Sequence, residues 1–128
     1  MAQELKAGIQ GRKELLVSTS HTATAYGSGT VDVFATPAMI GLMEQTAMES
    51  ILDFLPEGHV TVGSEVNVKH LKGTLPGKTV VCHSELQYVE GKKLIFKVVA
   101  KDETGVIGEG SHTRYVVNKE KFINNLKG

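Results

Sequence analysis

A glutamate on the oily side of an amphipathic helix is the first residue in this chain with the makings of chemistry. Residues 36–55 read as one helix. At about 100° per residue, Ile40, Met43, Ala47, Met48, Ile51, Leu52, Phe54 and Leu55 fall on one side, and Gln45, Thr46, Glu49, Ser50 and Asp53 on the other. Glu44 projects into the middle of the apolar side, between Ile51 and Leu55. A carboxylate facing a core is costly unless it is paired or neutralised, so it has either a partner or a task. Satisfied by backbone amides, Glu44 would be structural only. His70 is the second such residue. In residues 60–70, Val60, Val62, Ser64, Val66, Val68 and His70 alternate onto one face, the face expected to pack on the helix. A carboxylate and an imidazole are thus expected to converge on one interface, where each can tune the other for proton transfer. The plainer reading of His70 is a strand-end histidine touching solvent.

Thr36 is the third candidate. Followed by Pro37, it reads as the helix N-cap, two turns before Glu44. The start of a helix presents unpaired N–H groups, which suit an oxyanion. Gly41 keeps the helix thin one turn ahead of Glu44. Gly63 interrupts the strand and marks a bulge or a close ligand approach. The remaining histidines carry weaker signals. His83 lies opposite the Cys82 face, His112 shares a face with Arg114 near the end of the last strand, and His21 and His59 fall in loops or ends. No spacing resembles a metal site or a phosphate-binding loop.

These residues need a frame. A first strand is expected over 13–20 after a loose lead-in at 1–11. An irregular stretch over 21–29 and a short extended piece over 31–35 follow, then the helix, closed by Pro56 and Gly58. After it, strands are expected over 60–70, 78–90, 92–101 and 106–117, with turns at 75–77, 90–91 and 102–105. Asn118 would cap a short tail helix ending near Leu126. Strand, long helix and four strands in a meander imply an α+β fold, a curved antiparallel sheet wrapped around the helix. The sheet edges then require solvent or a second copy, which predicts a homodimer or a dimer of dimers.

Composition narrows the class. The 128 residues suit one domain, 1–128, with 41% apolar and 22% charged residues. A formal net charge of zero argues against a general nucleic-acid binder. The single cysteine, Cys82, excludes an internal disulfide and a thiolate zinc cage, and reads as inert core. Without an apolar leader or a long apolar window, a cytoplasmic protein that does not meet the membrane is expected.

The element order resembles the hot-dog fold of acyl-CoA thioesterases and dehydratases. More narrowly, Phe34-Ala35-Thr36 followed by Met39-Ile40-Gly41-Leu42-Met43-Glu44 resembles the helix start of the fluoroacetyl-CoA thioesterase group. Val62-Gly63-Ser64 to Val68-Lys69-His70, Leu75-Pro76-Gly77, Val89-Glu90-Gly91-Lys92-Lys93 and Gly108-Glu109-Gly110-Ser111-His112-Thr113-Arg114 extend the likeness over most of the chain after about residue 12. The resemblance implies a catalytic set of Thr36, Glu44 and His70. It also implies an acyl pocket at Gly63 and coenzyme A lying along a dimer boundary. Gly41 and Ser64 are expected as further substrate-binding positions, and no cofactor is expected beyond the coenzyme A thioester as substrate. The segment Ala25 to Val33 looks shorter than the family's lid and lacks its prolines and phenylalanines. A small acyl thioester other than fluoroacetyl-CoA is therefore expected. Glu44 would attack the carbonyl or activate a water, His70 would assist proton transfer, and Thr36 would position Glu44 or the substrate. Lys69, Lys72 or Arg114 are candidates for the ligand's phosphates. The rival readings are a hot-dog hydratase or dehydratase, a non-catalytic acyl-CoA binding module, and a structural dimer with a buried Glu44–His70 pair.

Overall fold

The computed structural model describes residues 4–128, so residues 1–3 of the expected lead-in lie outside the described residues. Strand β1 (Gln10–Leu16) is followed by a 3-10 turn at Thr19–His21 and a four-residue helix α1 (Ala23–Tyr26). The long helix α2 (Thr36–Ser50) and a 3-10 turn at Leu52–Phe54 come next. Strands β2 (His59–His70), β3 (Thr79–Glu90), β4 (Lys93–Asp102) and β5 (Gly105–Asn118) precede the tail helix α3 (Lys119–Leu126). The Asn118 side chain caps α3 by accepting from Lys121 N at 3.0 Å, as its sequence position implies.

The five strands form one antiparallel sheet in the order β1-β3-β4-β5-β2. Only β3, β4 and β5 form a meander. The expected four-strand meander fails at β2, which crosses to the far edge and pairs with β5, while β1 takes the other edge beside β3. The strand expected over 13–20 also begins earlier, at Gln10. Residues 8–9 already bond to β3 through Gly8 N to Leu86 O at 2.7 Å and Leu86 N to Ile9 O at 2.8 Å.

Helix α2 lies against one face of this sheet, chiefly over β1, β3 and β4. That face carries Val80, Cys82 and Leu86 from β3 and Leu94, Phe96, Val98 and Ala100 from β4, all fully buried against Met39, Met43 and Ala47. At roughly 25 cal/mol per Å² of apolar surface, this layer supplies the main driving force of the fold. Gly108 on β5 lets Met39 press onto the strand backbone, where a Cβ would collide with its thioether. Thr46, expected on the polar side, is 1% exposed. Its hydroxyl is satisfied by donating to Leu42 O at 2.7 Å. The helix ends at Ser50, not at residue 55, so Leu52, Phe54 and Leu55 leave its periodicity.

Two register details position the site. A bulge between Gly63 and Glu65 leaves Ser64 unpaired against β5. It shifts the alternation by one, so the helix-facing residues are Thr61 and Gly63 before it, and Val66, Val68 and His70 after it. The single face expected from Val60 to His70 is therefore broken: Val60 and Val62 belong to the opposite side. Among the described residues, no helix is long and apolar enough to cross a membrane.

Candidate active site

Thr36 does not cap α2. Ala35 occupies the cap position and its methyl group cannot accept a hydrogen bond, and Thr36 is the first helical residue, with Pro37 behind it. The first-turn N–H groups therefore lack a side-chain acceptor, and the Thr36 hydroxyl is released for other work. It lies 2.8 Å from His70 Nδ1, at the end of β2. Phe34 stands edge-on to the imidazole, with ring centroids 6.4 Å apart. Nε2 of His70 is buried and has no hydrogen-bond partner. Burial pushes the His70 pKa below its ordinary value, against a weaker upward pull from the Lys72 backbone, which favours the neutral ring. An oriented neutral imidazole with one free nitrogen is equipped to pass a proton. Beside it opens a cavity of about 320 Å³, lined by Ala23, Val33, Phe34 and Leu71 together with Thr36 and His70.

The rim of this cavity is tied down from the β4–β5 turn. The Asp102 carboxylate accepts from Thr74 Oγ1 at 2.9 Å and from Thr104 N at 2.8 Å, and Lys72 Nζ lies 3.9 Å away. Thr74 O in turn accepts from Phe34 N at 2.8 Å. Lys72 is thereby engaged with Asp102 and Thr104.

Glu44 belongs to a second cluster. It is not a core carboxylate, since its side chain is 41% exposed on a flank of α2 shared with Ile40 and Met48. That flank overhangs the part of the sheet the helix leaves least covered. Below it lie Arg114, 3.9 Å from Glu44 Oε2 through Nη1, and His112, both buried on β5. Arg114 is held by Nε donating to Thr61 Oγ1 at 2.8 Å and Nη2 donating to Thr61 O at 3.0 Å. Gly63 forms the wall between them. A Cβ there would stand 3.0 Å from Glu44 Oε2, 3.2 Å from His112 Cε1 and 3.3 Å from Arg114 Nη1. Its lack of a side chain is a matter of space, because its φ is not positive.

The two clusters do not meet within one chain. Gly63 pairs with Arg114 and His70 with Gly108, six residues apart on β5. At about 3.3 Å per residue this is roughly 20 Å. Along α2, Thr36 and Glu44 are separated by about 12 Å at 1.5 Å per residue. The expected convergence of Glu44 and His70 is thus corrected to two half-sites, Thr36–His70 and Glu44–Arg114–His112, at opposite ends of the edge strand β2. Gly41 is exposed, with nothing near where a Cβ would stand, so it does not serve close packing of helix on sheet. Ser64 Oγ bonds to Thr113 O at 3.4 Å and not to the Glu44 cluster. His83 is exposed and Cys82 buried, as expected. Arg114 and His112 as neighbours of Glu44 escaped the sequence. Their shared face was legible, but its direction follows from pairing Phe96 with His112 and Leu94 with Arg114. Among the described residues, no group of three or more His, Cys, Asp or Glu side chains is placed to hold a metal ion.

With this geometry in view, comparison with known proteins is specific. Residues 17–120 match the family model described as fluoroacetyl-CoA-specific thioesterase. A curated fluoroacetyl-CoA thioesterase from Streptantibioticus cattleyicolor is 41% identical over 91 residues, 71% of this chain and 66% of that relative. The matched stretch thus falls just short of two thirds of the relative's length. A solved structure of the fluoroacetyl-CoA thioesterase FlK superposes with a TM-score of 0.91 at 31% identity, covering 98% of this chain and 97% of that one. A variant of the same enzyme, solved with fluoroacetate and CoA, gives 0.86 at 33% identity over 92% and 99%. A thioesterase superfamily member from Thermus thermophilus gives 0.88 at 29% identity over 95% and 90%. The sheet order, the helix lying on it and these neighbours bear out the hot-dog fold. The chain belongs to the family of fluoroacetyl-CoA-specific thioesterases.

Proposed function

We propose that this single-domain protein hydrolyses the thioester of a small acyl-CoA, without a cofactor, at sites shared between two copies of the chain. The observation that carries the reading is the Thr36–His70 hydrogen bond at an uncapped helix start beside a cavity, joined to membership of a thioesterase family. The thioester carbonyl lies at the start of α2, whose free N–H groups receive the developing negative charge. Glu44 takes a proton from a water whose oxygen attacks the carbonyl carbon, or attacks that carbon itself to give a mixed anhydride that water then cleaves, releasing the acid and restoring the carboxylate. In either route the C–S bond breaks, and the coenzyme A sulfur leaves with a proton relayed through His70. Thr36 holds the imidazole in line.

The separation of the half-sites favours a two-chain site. Strand β2 is a twelve-residue edge, whereas the other edge, β1, has seven residues and carries the exposed Arg12–Glu14 pair. Antiparallel pairing of β2 with a second β2 about a two-fold axis brings the His70 end of one chain towards the Glu44 end of its partner. Coenzyme A then runs along the boundary. The lid segment, residues 25–33, contains no phenylalanine before Phe34, which favours a small acyl group other than fluoroacetyl.

The test is a panel of acetyl-, propionyl-, fluoroacetyl- and crotonyl-CoA with product analysis. Thiol release, with kcat lowered at least about 100-fold by Glu44→Gln, is expected. Hydration of crotonyl-CoA without hydrolysis identifies a hydratase, and binding with intact return identifies a carrier. Mixing Glu44→Gln and His70→Ala chains should restore about half of the wild-type activity per mixed dimer, since one of two shared sites is then whole. No recovery would place the full set in one chain.

A further inference from the structure

His112 is the one histidine of the chain that is entirely enclosed, at 1% exposure, and the chemistry above does not use it. Its hydrogen bonds fix its form. Nδ1 lies 2.9 Å from Glu65 O, and a carbonyl only accepts, so Nδ1 carries the proton. Nε2 lies 3.1 Å from Arg114 Nη1, and a guanidinium only donates, so Nε2 offers its lone pair. One neutral tautomer satisfies both partners. A second ring proton would point at the guanidinium. Burial above all, aided by the Arg114 charge, pushes the His112 pKa below its ordinary value, against upward pulls from the Glu65 backbone and Glu44. Phe96 stacks beside the ring, with centroids 6.3 Å apart and planes 28° from parallel.

Arg114 is held from two directions: Thr61 takes Nε and Nη2, and His112 takes one N–H of Nη1. Among the described residues, the ionised side chain near the remaining Nη1 hydrogen is Glu44. Without the His112 acceptor, Nη1 would have no fixed partner on the sheet side, and the separation between the guanidinium and the carboxylate would be unconstrained.

We propose that His112 is a positioning residue for hydrolysis: as a neutral hydrogen-bond acceptor it sets Arg114, and Arg114 sets the Glu44 carboxylate. The inference goes beyond the Thr36, Glu44 and His70 set and rests on the thioesterase reading. It assigns the bulge in β2 a task, because Glu65 O, the carbonyl next to the bulge, is what anchors the ring.

Two substitutions separate this role from a structural one. His112→Gln places an amide oxygen near the former Nε2 and keeps an acceptor for Arg114, while losing the bond to Glu65 O. His112→Asn places its amide near the former Nδ1, keeps the bond to Glu65 O and loses the acceptor for Arg114. The proposal expects His112→Gln to retain kcat within about three-fold and His112→Asn to lower it at least about ten-fold, with KM moving less than about two-fold in both. In an Arg114→Met background, His112→Asn should cost nothing further. Crystal structures supply a readout independent of turnover. Arg114 Nη1 should stay near 4 Å from Glu44 in His112→Gln and move away in His112→Asn. Equal kcat in the two variants, the reverse order, or an unmoved Arg114 in His112→Asn overturns the proposal. Absence of turnover by the wild-type protein overturns the thioesterase reading instead, and the crystal structures still decide the arrangement.

Discussion

Gly63→Ala gives the sharpest test of the Glu44 cluster. The added methyl meets three atoms, and each contact is tighter than the 3.4 Å at which ordinary van der Waals contact begins, by a few tenths of an ångström at most. Two of the three neighbours cannot move. His112 is pinned by Glu65 O and Arg114, and Arg114 by Thr61 and His112. Glu44 can, because it is the half-exposed end of a flexible side chain. The strain therefore drains into Glu44, which swings away from Nη1. Overpacking a rigid core site costs about 1–3 kcal/mol, and with one neighbour free to yield the lower end applies, about 1 kcal/mol. For a chain of this size that lowers Tm by roughly 3–6 °C. Catalysis suffers more than stability. A displacement of about 1 Å at a reacting group costs roughly 100-fold, so a shift of a few tenths costs about ten-fold in kcat. Steady-state hydrolysis of the best acyl-CoA, alongside calorimetric melting of the same samples, measures both. A kcat equal to wild type would mean that the carboxylate position does not matter. A Tm fall beyond about 10 °C would mean that Glu44 is held as rigidly as its neighbours.

Two further outcomes are expected. Gly41→Ala should raise Tm, because the position is an open helix interior where alanine is favoured by about 1 kcal/mol; a lowered Tm in a melting scan would mean that a second copy covers residue 41. Stability should also depend on pH near neutrality. His70 and His112 both have folded pKa values below the unfolded value of 6.5, so the unfolded chain takes up protons first as pH falls. Their contribution is complete above about 6.5 and is lost as pH falls from there through the folded values, giving urea midpoints that are flat from pH 8 to 7 and decline towards pH 5. The decline should be shallower in His112→Gln. Asp102 adds a separate loss at lower pH. Its carboxyl is held below 3.8 because the bonds from Thr104 and Thr74 and the Lys72 charge outweigh burial. A midpoint that rises between pH 7 and 5 would contradict the histidine assignments.

Much of this molecule is written in local pattern. The long helix follows from its periodicity, the last strands from their alternation and Gly-bearing turns, and the tail helix from Asn118. Glu44 and His70 stand out because each is a polar group where the pattern calls for an apolar one, and Thr36 because it stands at the helix start before Pro37. Local pattern reports period and not phase or partner, and there the tertiary structure decided. One unpaired residue, Ser64, inverts the facing of β2 and turns Thr61 and Gly63 inward. Strand register put Gly63 opposite Arg114 and His70 opposite Gly108, six residues further along β5, which separates the Glu44 cluster from His70 in one chain. Arg114 and His112 acquire meaning only through pairing of β5 with β2 and β4, since hydrogen-bond partners 47 and 53 residues away leave no trace in a local window. The sequence selected the chemical groups, and the pairing of distant strands determined which of them touch.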